Sequence, residues 1–219
     1  MTIHAELILK GGTVVNHDGV GQRDIAVSGG RIVAIGSFDK SQAGEVIDCT
    51  GLHILPGVID SQVHLREPGA EHKEDLETGG RAAVMGGVTG VFEMPNTHPP
   101  TGTLEALALK LKAAESSYVD YGIHGLLGDD TIDKLEQLLE GGVSSFKAFV
   151  GNTFGNLPAP TDGALLEGFE ILAPLGIRTV VHAENSPSWR AARRSCRRQD
   201  AQTPWPTSTP APPWPRSRP

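Results

Sequence analysis

A chain of 219 residues with 38% hydrophobic, 21% charged and 5% aromatic side chains has the composition of a soluble globular protein, long enough for one large domain or two small ones. Its net charge of −7 gives no electrostatic reason to bind nucleic acid, and its two cysteines, Cys49 and Cys196, are too far apart for a thiolate metal cluster and fit a reducing compartment. The apolar runs are strand-sized and no basic, apolar leader opens the chain, so the expectation is a cytoplasmic protein without a membrane span or signal peptide. Residues 1–55 carry short β-type runs, AELILKGGTVV, DIAVSGGRIVAIG and EVIDCTGLHILP, separated by Gly, Asn and Asp turns, and predict a small N-terminal β-sandwich segment. From residue 56 the pattern becomes strand and helix in alternation. VIDSQVHL precedes a helical stretch near 73–86, GVTGVFEMP precedes TLEALALKLKAAE, VDYGIHGLL precedes TIDKLEQLLEGG, VSSFKAFV precedes DGALLEGFEILAPLG, and IRTVVHAEN closes the series. Five strands joined by four helices imply right-handed βα units on a parallel sheet. Doubly wound and (β/α)8 architectures both fit, and the lack of a GxGxxG or GxxxxGK[ST] loop after the first strand lowers the weight of nucleotide-binding versions.

Residues 186–219 differ in kind. They hold seven arginines against the single acid Asp200, all three tryptophans and half of the prolines, with no helical or strand period. A Pro-rich disordered tail or an SH3-type ligand is one reading; another is given below. The domain organisation expected is therefore 1–55, 56–185 and a tail of 186–219.

Chemistry-bearing residues gather where the predicted strands of 56–185 end. His64 ends the first, Asn96 follows the second, Lys147 lies within the fourth and His182 ends the fifth. In a (β/α)8 barrel such positions converge on one mouth, where active sites are built. Each has a plainer reading: a hydrogen-bonded structural histidine, a lysine whose ammonium snorkels to solvent from an edge strand, an asparagine that satisfies a turn, and for Arg66 a surface cation. Lys147, set between Phe146 and Phe149, resists that reading most, because lysine is seldom buried unless its charge is paired or chemically removed. Gln62 sits two residues before His64, so the two side chains leave one face of the strand, and the first offers an amide oxygen where an imidazole would make half a metal site.

The stretch DSQVHLREPGAEHKEDLETGGRAAVMGGVTGVFEMPNT, with SFKAFVGNTFGNL and VVHAEN, resembles the dihydroorotases among the cyclic amidohydrolases over residues 1–185. The joint occurrence of LREPG and MPNT carries the resemblance; a His-x-His pair alone would be weak. The resemblance implies a (β/α)8 barrel with a small β-sandwich, a centre of one or two metal ions, usually Zn2+, and interconversion of dihydroorotate and N-carbamoyl-aspartate in pyrimidine biosynthesis. It assigns Gln62 and His64 to the His-x-His positions, Lys147 to the lysine carbamylated to bridge two metals, His182 to a ligand of the second metal, and Arg66 and Asn96 to the substrate carboxylate. Asp60 would orient a ligand from behind it. Gln62 departs from the pattern, and an amide oxygen binds zinc more weakly than imidazole, so the metal it helps to hold is expected to be weak, replaced or absent. The alternatives are an allantoinase or hydantoinase acting on a different ring, or a catalytically silent scaffold for a partner such as aspartate carbamoyltransferase. The partners expected are a small cyclic amide substrate and either a second copy, as a homo-oligomer, or aspartate carbamoyltransferase.

The family also uses a histidine from the sixth strand and an aspartate from the eighth as general base, and neither has a counterpart after His182. No catalytic base is therefore assigned, and the expectation is a half-barrel of five strands that is an inactive fragment. A GC-rich back-translation of residues 200–219 in another frame resembles the stretch that dihydroorotase-like proteins carry after their fifth strand, so the tail is expected to be a frameshift product.

Overall fold

Alternation in AELILKGGTVVN builds β1 (Ala5–Asn16), the longest strand among the described residues. The structure, a computed structural model, describes residues 5–40, 43–151 and 157–184. β2 (Gly19–Ser28) returns antiparallel along β1, and β3 (Arg31–Gly36) returns along β2. β4 (Ala43–Asp48) and the short β5 (His53–Ile54) both pair parallel with β1. The result is a five-stranded mixed sheet of order β3-β2-β1-β4, with β5 on β1. Its register shifts between Leu9 and Gly12, and buried Asp24 holds the bulge. That carboxylate accepts from the Gly11 N–H at 2.8 Å, the Lys10 ammonium at 2.9 Å and the Phe38 N–H at 2.9 Å. One core cluster here is Ala5, Ile8 and Ala26, with Ala34, Phe38, Ala43 and Val46 packed against them, and Val14 and Ile25 are buried as well.

The second sheet runs β6 (Val58–Val63), β7 (Val88–Glu93), β8 (Asp120–Leu126), β9 (Ser145–Val150) and β10 (Thr179–Ala183), neighbours in chain order. Between them lie α1 (Leu76–Met85), α2 (Leu104–Ala114), a 3-10 turn (Asp129–Lys134) leading into α3 (Leu135–Glu140), and α4 (Asp162–Leu172). This is a parallel half-barrel of five strands within an α/β fold. Helix starts are encoded locally: Thr103 Oγ1 accepts from the Ala106 N–H at 3.3 Å, and Thr161 Oγ1 from the Ala164 N–H at 3.2 Å. Strand β9 shows how period two divides its labour. Phe146 and Ala148 enter a core with Leu107, Leu135, Leu138 and Leu172 from the helices, Ile123 from β8, and Leu127 and Val143 from the connecting segments. Ser145, Lys147 and Phe149 leave the opposite face.

The described residues fall into two compact units, one made of residues up to Asp60 with Ala83–Gly90, the other of Ser61–Ala82 and those from Val91 onward. The Arg- and Pro-rich segment 186–219, expected to be a disordered or frameshifted tail, lies outside the described residues, as does Cys196. Among the described residues no helix is long and apolar enough to cross a membrane.

Candidate active site at the strand ends of the half-barrel

The second unit collects most of the residues singled out in the sequence. His64 directly follows β6, and its Nδ1 lies 2.8 Å from Oδ1 of Asn96, three residues past the end of β7. With Asn96 accepting, Nδ1 carries the proton and Nε2 the lone pair, the tautomer a metal ligand needs. Burial, with the nearby cations of Arg66, Lys147 and Lys110, holds this imidazole below its ordinary pKa against the pull of the Asn96 hydrogen bond. His64 is therefore neutral near pH 7.

Lys147 is 1% exposed. Its Nζ lies 3.5 Å from Gln62 Oε1, a long contact, and 5.2 Å from the centre of the Phe149 ring. Burial lowers the pKa of this ammonium. A buried amine that deprotonates readily is a nucleophile toward CO2 and, once carbamylated, an anionic ligand.

His182 sits in β10 opposite Phe149, with the two rings 6.5 Å apart, and Val180 stands opposite Lys147. Paired residues share a face, so His182 lies one step further along the face that carries Lys147. Its Nε2 is 2.9 Å from Glu184 Oε1. Gln62 and Lys147 thus meet, His64 and Asn96 meet, and His182 adjoins Phe149. Asp60 is exposed in β6 two residues before Gln62. Among the described residues no group of three or more His, Cys, Asp or Glu side chains is arranged to hold a metal ion. Any metal here would depend on the amide and lysine donors.

Arg66 has a positive φ of 65°, the single such value outside glycine among the described residues. The loop around it is tied down on both sides. The Arg66 carbonyl accepts from the Ala70 N–H at 3.0 Å, Glu67 Oε2 accepts from the Leu76 N–H at 2.9 Å, and the Pro68 carbonyl accepts from the His98 N–H at 2.9 Å. Gly69, at φ 99°, is required by this approach: a Cβ there would lie 2.5 Å from His98 Cβ and 2.6 Å from the His98 carbonyl oxygen. LREPG is thus hydrogen-bonded through Pro68 to His98, the residue that follows MPNT.

Sequence reasoning missed three buried polar residues near this site. His124 in β8 is 2% exposed, with Nδ1 2.7 Å from Ser145 Oγ and Nε2 3.1 Å from the Ser61 carbonyl. Its ring is the structural, hydrogen-bonded kind, and burial lowers its pKa. Glu93 and Lys110, both buried, form an ion pair at 3.7 Å. A signal for Lys110 was present: Ala106, Lys110 and Ala114 recur at every fourth residue of α2, and all three are buried, so the lysine stands in an apolar stripe.

The comparisons with known proteins agree on the kind of protein. A family model described as Dihydro-orotase-like matches residues 51–144. An allantoinase of Desulfitobacterium hafniense is 42% identical over 84% of this chain and 41% of its own length, and an allantoinase of Escherichia coli is 40% identical over 83% and 41%. Among solved structures, the L-hydantoinase (dihydropyrimidinase) from Arthrobacter aurescens superimposes with a TM-score of 0.82 at 31% identity, over 89% of this chain and 44% of that one. The D-hydantoinase from a Thermus species gives 0.74 at 30%, over 88% and 43%. The chain spans less than half the length of these relatives. These likenesses support the cyclic amidohydrolase superfamily, with this chain corresponding to an N-terminal portion.

Proposed function

We propose that this chain carries the N-terminal half of a metal-dependent cyclic amidohydrolase site that opens the ring of dihydroorotate to N-carbamoyl-aspartate. The observation that carries the reading is Lys147, buried within the fourth strand of the half-barrel with its Nζ 3.5 Å from the amide oxygen of Gln62. The residues present fit a metal: a neutral imidazole in the right tautomer, an amide oxygen, and an amine that burial makes ready for carbamylation. His64, Gln62, carbamylated Lys147 and His182 would hold one or two divalent ions, zinc first. A metal held by these residues would supply Lewis acidity for the ring-opening hydrolysis.

The chain's own residues do the remainder. Asn96 gives its Oδ1 to His64, which leaves its Nδ2 to donate to a ring oxygen. Arg66 offers a guanidinium fork for the substrate carboxylate. Its left-handed backbone, held by the Ala70 hydrogen bond, supports that role, since strain of this kind persists where the surroundings demand it. In this reading residues 1–55 form the small β-domain and 56–185 the half-barrel, and the protein is cytoplasmic.

Two further readings have specific support. The identity to allantoinases favours allantoin or another hydantoin-type ring, which lacks the carboxylate that Arg66 would hold. Gln62 favours a silent scaffold, for a second copy or for aspartate carbamoyltransferase.

One experiment separates them. Bound zinc is counted in the purified chain with and without bicarbonate, and ring opening of dihydroorotate, allantoin and hydantoin is followed with the chain and with a version extended to the length of the relatives. The expectation is zinc uptake that depends on bicarbonate, is lost in Lys147→Ala, and accompanies dihydroorotate turnover in the extended protein. Arg66→Met should slow dihydroorotate about 10–100-fold and leave hydantoin nearly unchanged, because a charge-assisted hydrogen bond is worth about 1.5–3 kcal/mol. Preferred turnover of allantoin would install the second reading. Zinc-free protein with no turnover in either form would leave the scaffold.

A further inference from the structure

We infer that the buried Glu93–Lys110 pair is a positioning clamp for the His64–Asn96 couple, an inference that rests on the proposed role of His64 as a metal ligand. Glu93 is 1% exposed and Lys110 fully buried, and their charges lie 3.7 Å apart. Each partner spends a second interaction on backbone. Glu93 Oε2 accepts from the Leu65 N–H at 2.7 Å, and Lys110 Nζ donates to the Met94 carbonyl at 2.6 Å.

Those two backbone groups flank the couple. Leu65 follows His64, and Met94 precedes Asn96 by two residues. The Met94 N–H also donates to the Val63 carbonyl at 3.0 Å. Residues 63 and 65 are therefore both tied to residues 93 and 94, so His64 cannot turn about its own backbone without breaking a bond on one side. Asn96 is fixed by the same strand end. The 2.8 Å contact between His64 Nδ1 and Asn96 Oδ1 is the product of this register.

Stability alone gives no reason for such a pair. Replacing a buried ion pair with well-packed apolar side chains is often neutral or stabilising, because two desolvated charges rarely recover their hydration. The α2 stripe of Ala106 and Ala114 would accept an apolar residue at Lys110 on pattern alone. What an apolar pair could not do is bind the Leu65 N–H and the Met94 carbonyl, two groups whose positions set the ligand and its orienting amide.

The test reads His64 directly. In uniformly 15N-labelled, metal-free chain, the imidazole nitrogen shifts at pH 8 should report a single His64 tautomer protonated at Nδ1. Glu93→Leu, which removes the acceptor for the Leu65 N–H, should mix the two tautomers and weaken Co2+ binding about 10–100-fold, the range for losing a group that orients a ligand. Glu93→Gln keeps an oxygen for that N–H and should hold the single tautomer. If Glu93→Leu does not fold, Lys110→Met decides: it should mix the tautomers by releasing the Met94 carbonyl. A folded Glu93→Leu or Lys110→Met variant with the wild-type tautomer overturns the clamp, as does Glu93→Gln behaving like Glu93→Leu. Wild-type chain that shows the tautomer pattern but binds no Co2+ would sink the metal reading and leave the clamp standing.

Discussion

The mixed sheet and the half-barrel are both five-stranded, yet they treat polar side chains in opposite ways. In the mixed sheet Val20, Ile32, Val33, Ile35 and Ile47 are exposed, and the buried apolar residues include Ala5, Ile8, Val14, Ile25 and Ala26. Its buried carboxylate, Asp24, serves a backbone bulge. In the half-barrel β9 is buried along Ser145–Phe149, and the strands bury Glu93, His124, Ser145 and Lys147, with Lys110 from α2. Burying polar groups is costly unless they are bonded. A fold concentrates that cost where geometry must be held, and the half-barrel is where the proposed site lies.

The largest test of that contrast is Phe146→Ala. Phe146 is fully buried among the residues that join β8, β9 and the helices, and its loss should cost about 3–5 kcal/mol in urea unfolding. A cost below about 1 kcal/mol would mean that the helix-side layer of the half-barrel does not hold it together.

A smaller effect should appear in the pH dependence of stability. Burial raises the Glu93 pKa from 4.5 to about 7, against the attraction of Lys110. A raised folded pKa contributes stability that is present below the unfolded value and lost as pH rises through the folded one. Burial lowers the Lys110 pKa from 10.5 to about 8, so its contribution is present at high pH and lost as pH falls through 8. The half-barrel should therefore be least favoured by this pair between about pH 7 and 8. Comparing unfolding of the parent with Glu93→Gln at pH 5 and pH 7.5, the parent should lose on the order of 1–3 kcal/mol relative to the variant on going up. A constant difference would show that Glu93 does not titrate in this window.

The smallest effect sharpens the contrast from the other side. Ile32 in β3 is 61% exposed, and Ile32→Thr keeps the β-branch, so its stability should change by no more than about 0.5 kcal/mol. A loss comparable to that of Phe146→Ala would mean that this face of the mixed sheet is covered in solution.

Much of the fold was legible in the chain because its signals are local. The pattern changes near residue 56 from β-runs to strand and helix in alternation, and β6 (Val58–Val63) is the first strand of the half-barrel; the helix starts at Thr103 and Thr161 are written in a few adjacent residues. The oddness of Lys147 between two phenylalanines was also visible, since a buried lysine contradicts its own hydration. Glu93 in VFEMP and His124 in GIHGLL are single polar residues in apolar strands, a pattern that leaves the partner unnamed.

The sequence by itself determined the element order, the period-two faces of the strands and the residue types gathered at their ends, because backbone propensity and side-chain periodicity act within a few residues. Only the tertiary structure decided which of those residues meet. Gln62 faces Lys147 across 85 positions, His64 faces Asn96 across 32, and His124 reaches Ser61 across 63. Contacts at such separations follow from strand order and register, which are set by how the whole sheet buries its faces. The His64–Asn96 contact, the Glu93–Lys110 ion pair and the burial of Lys147 belong to that level, where a side chain's protonation depends on the partners the fold brings to it.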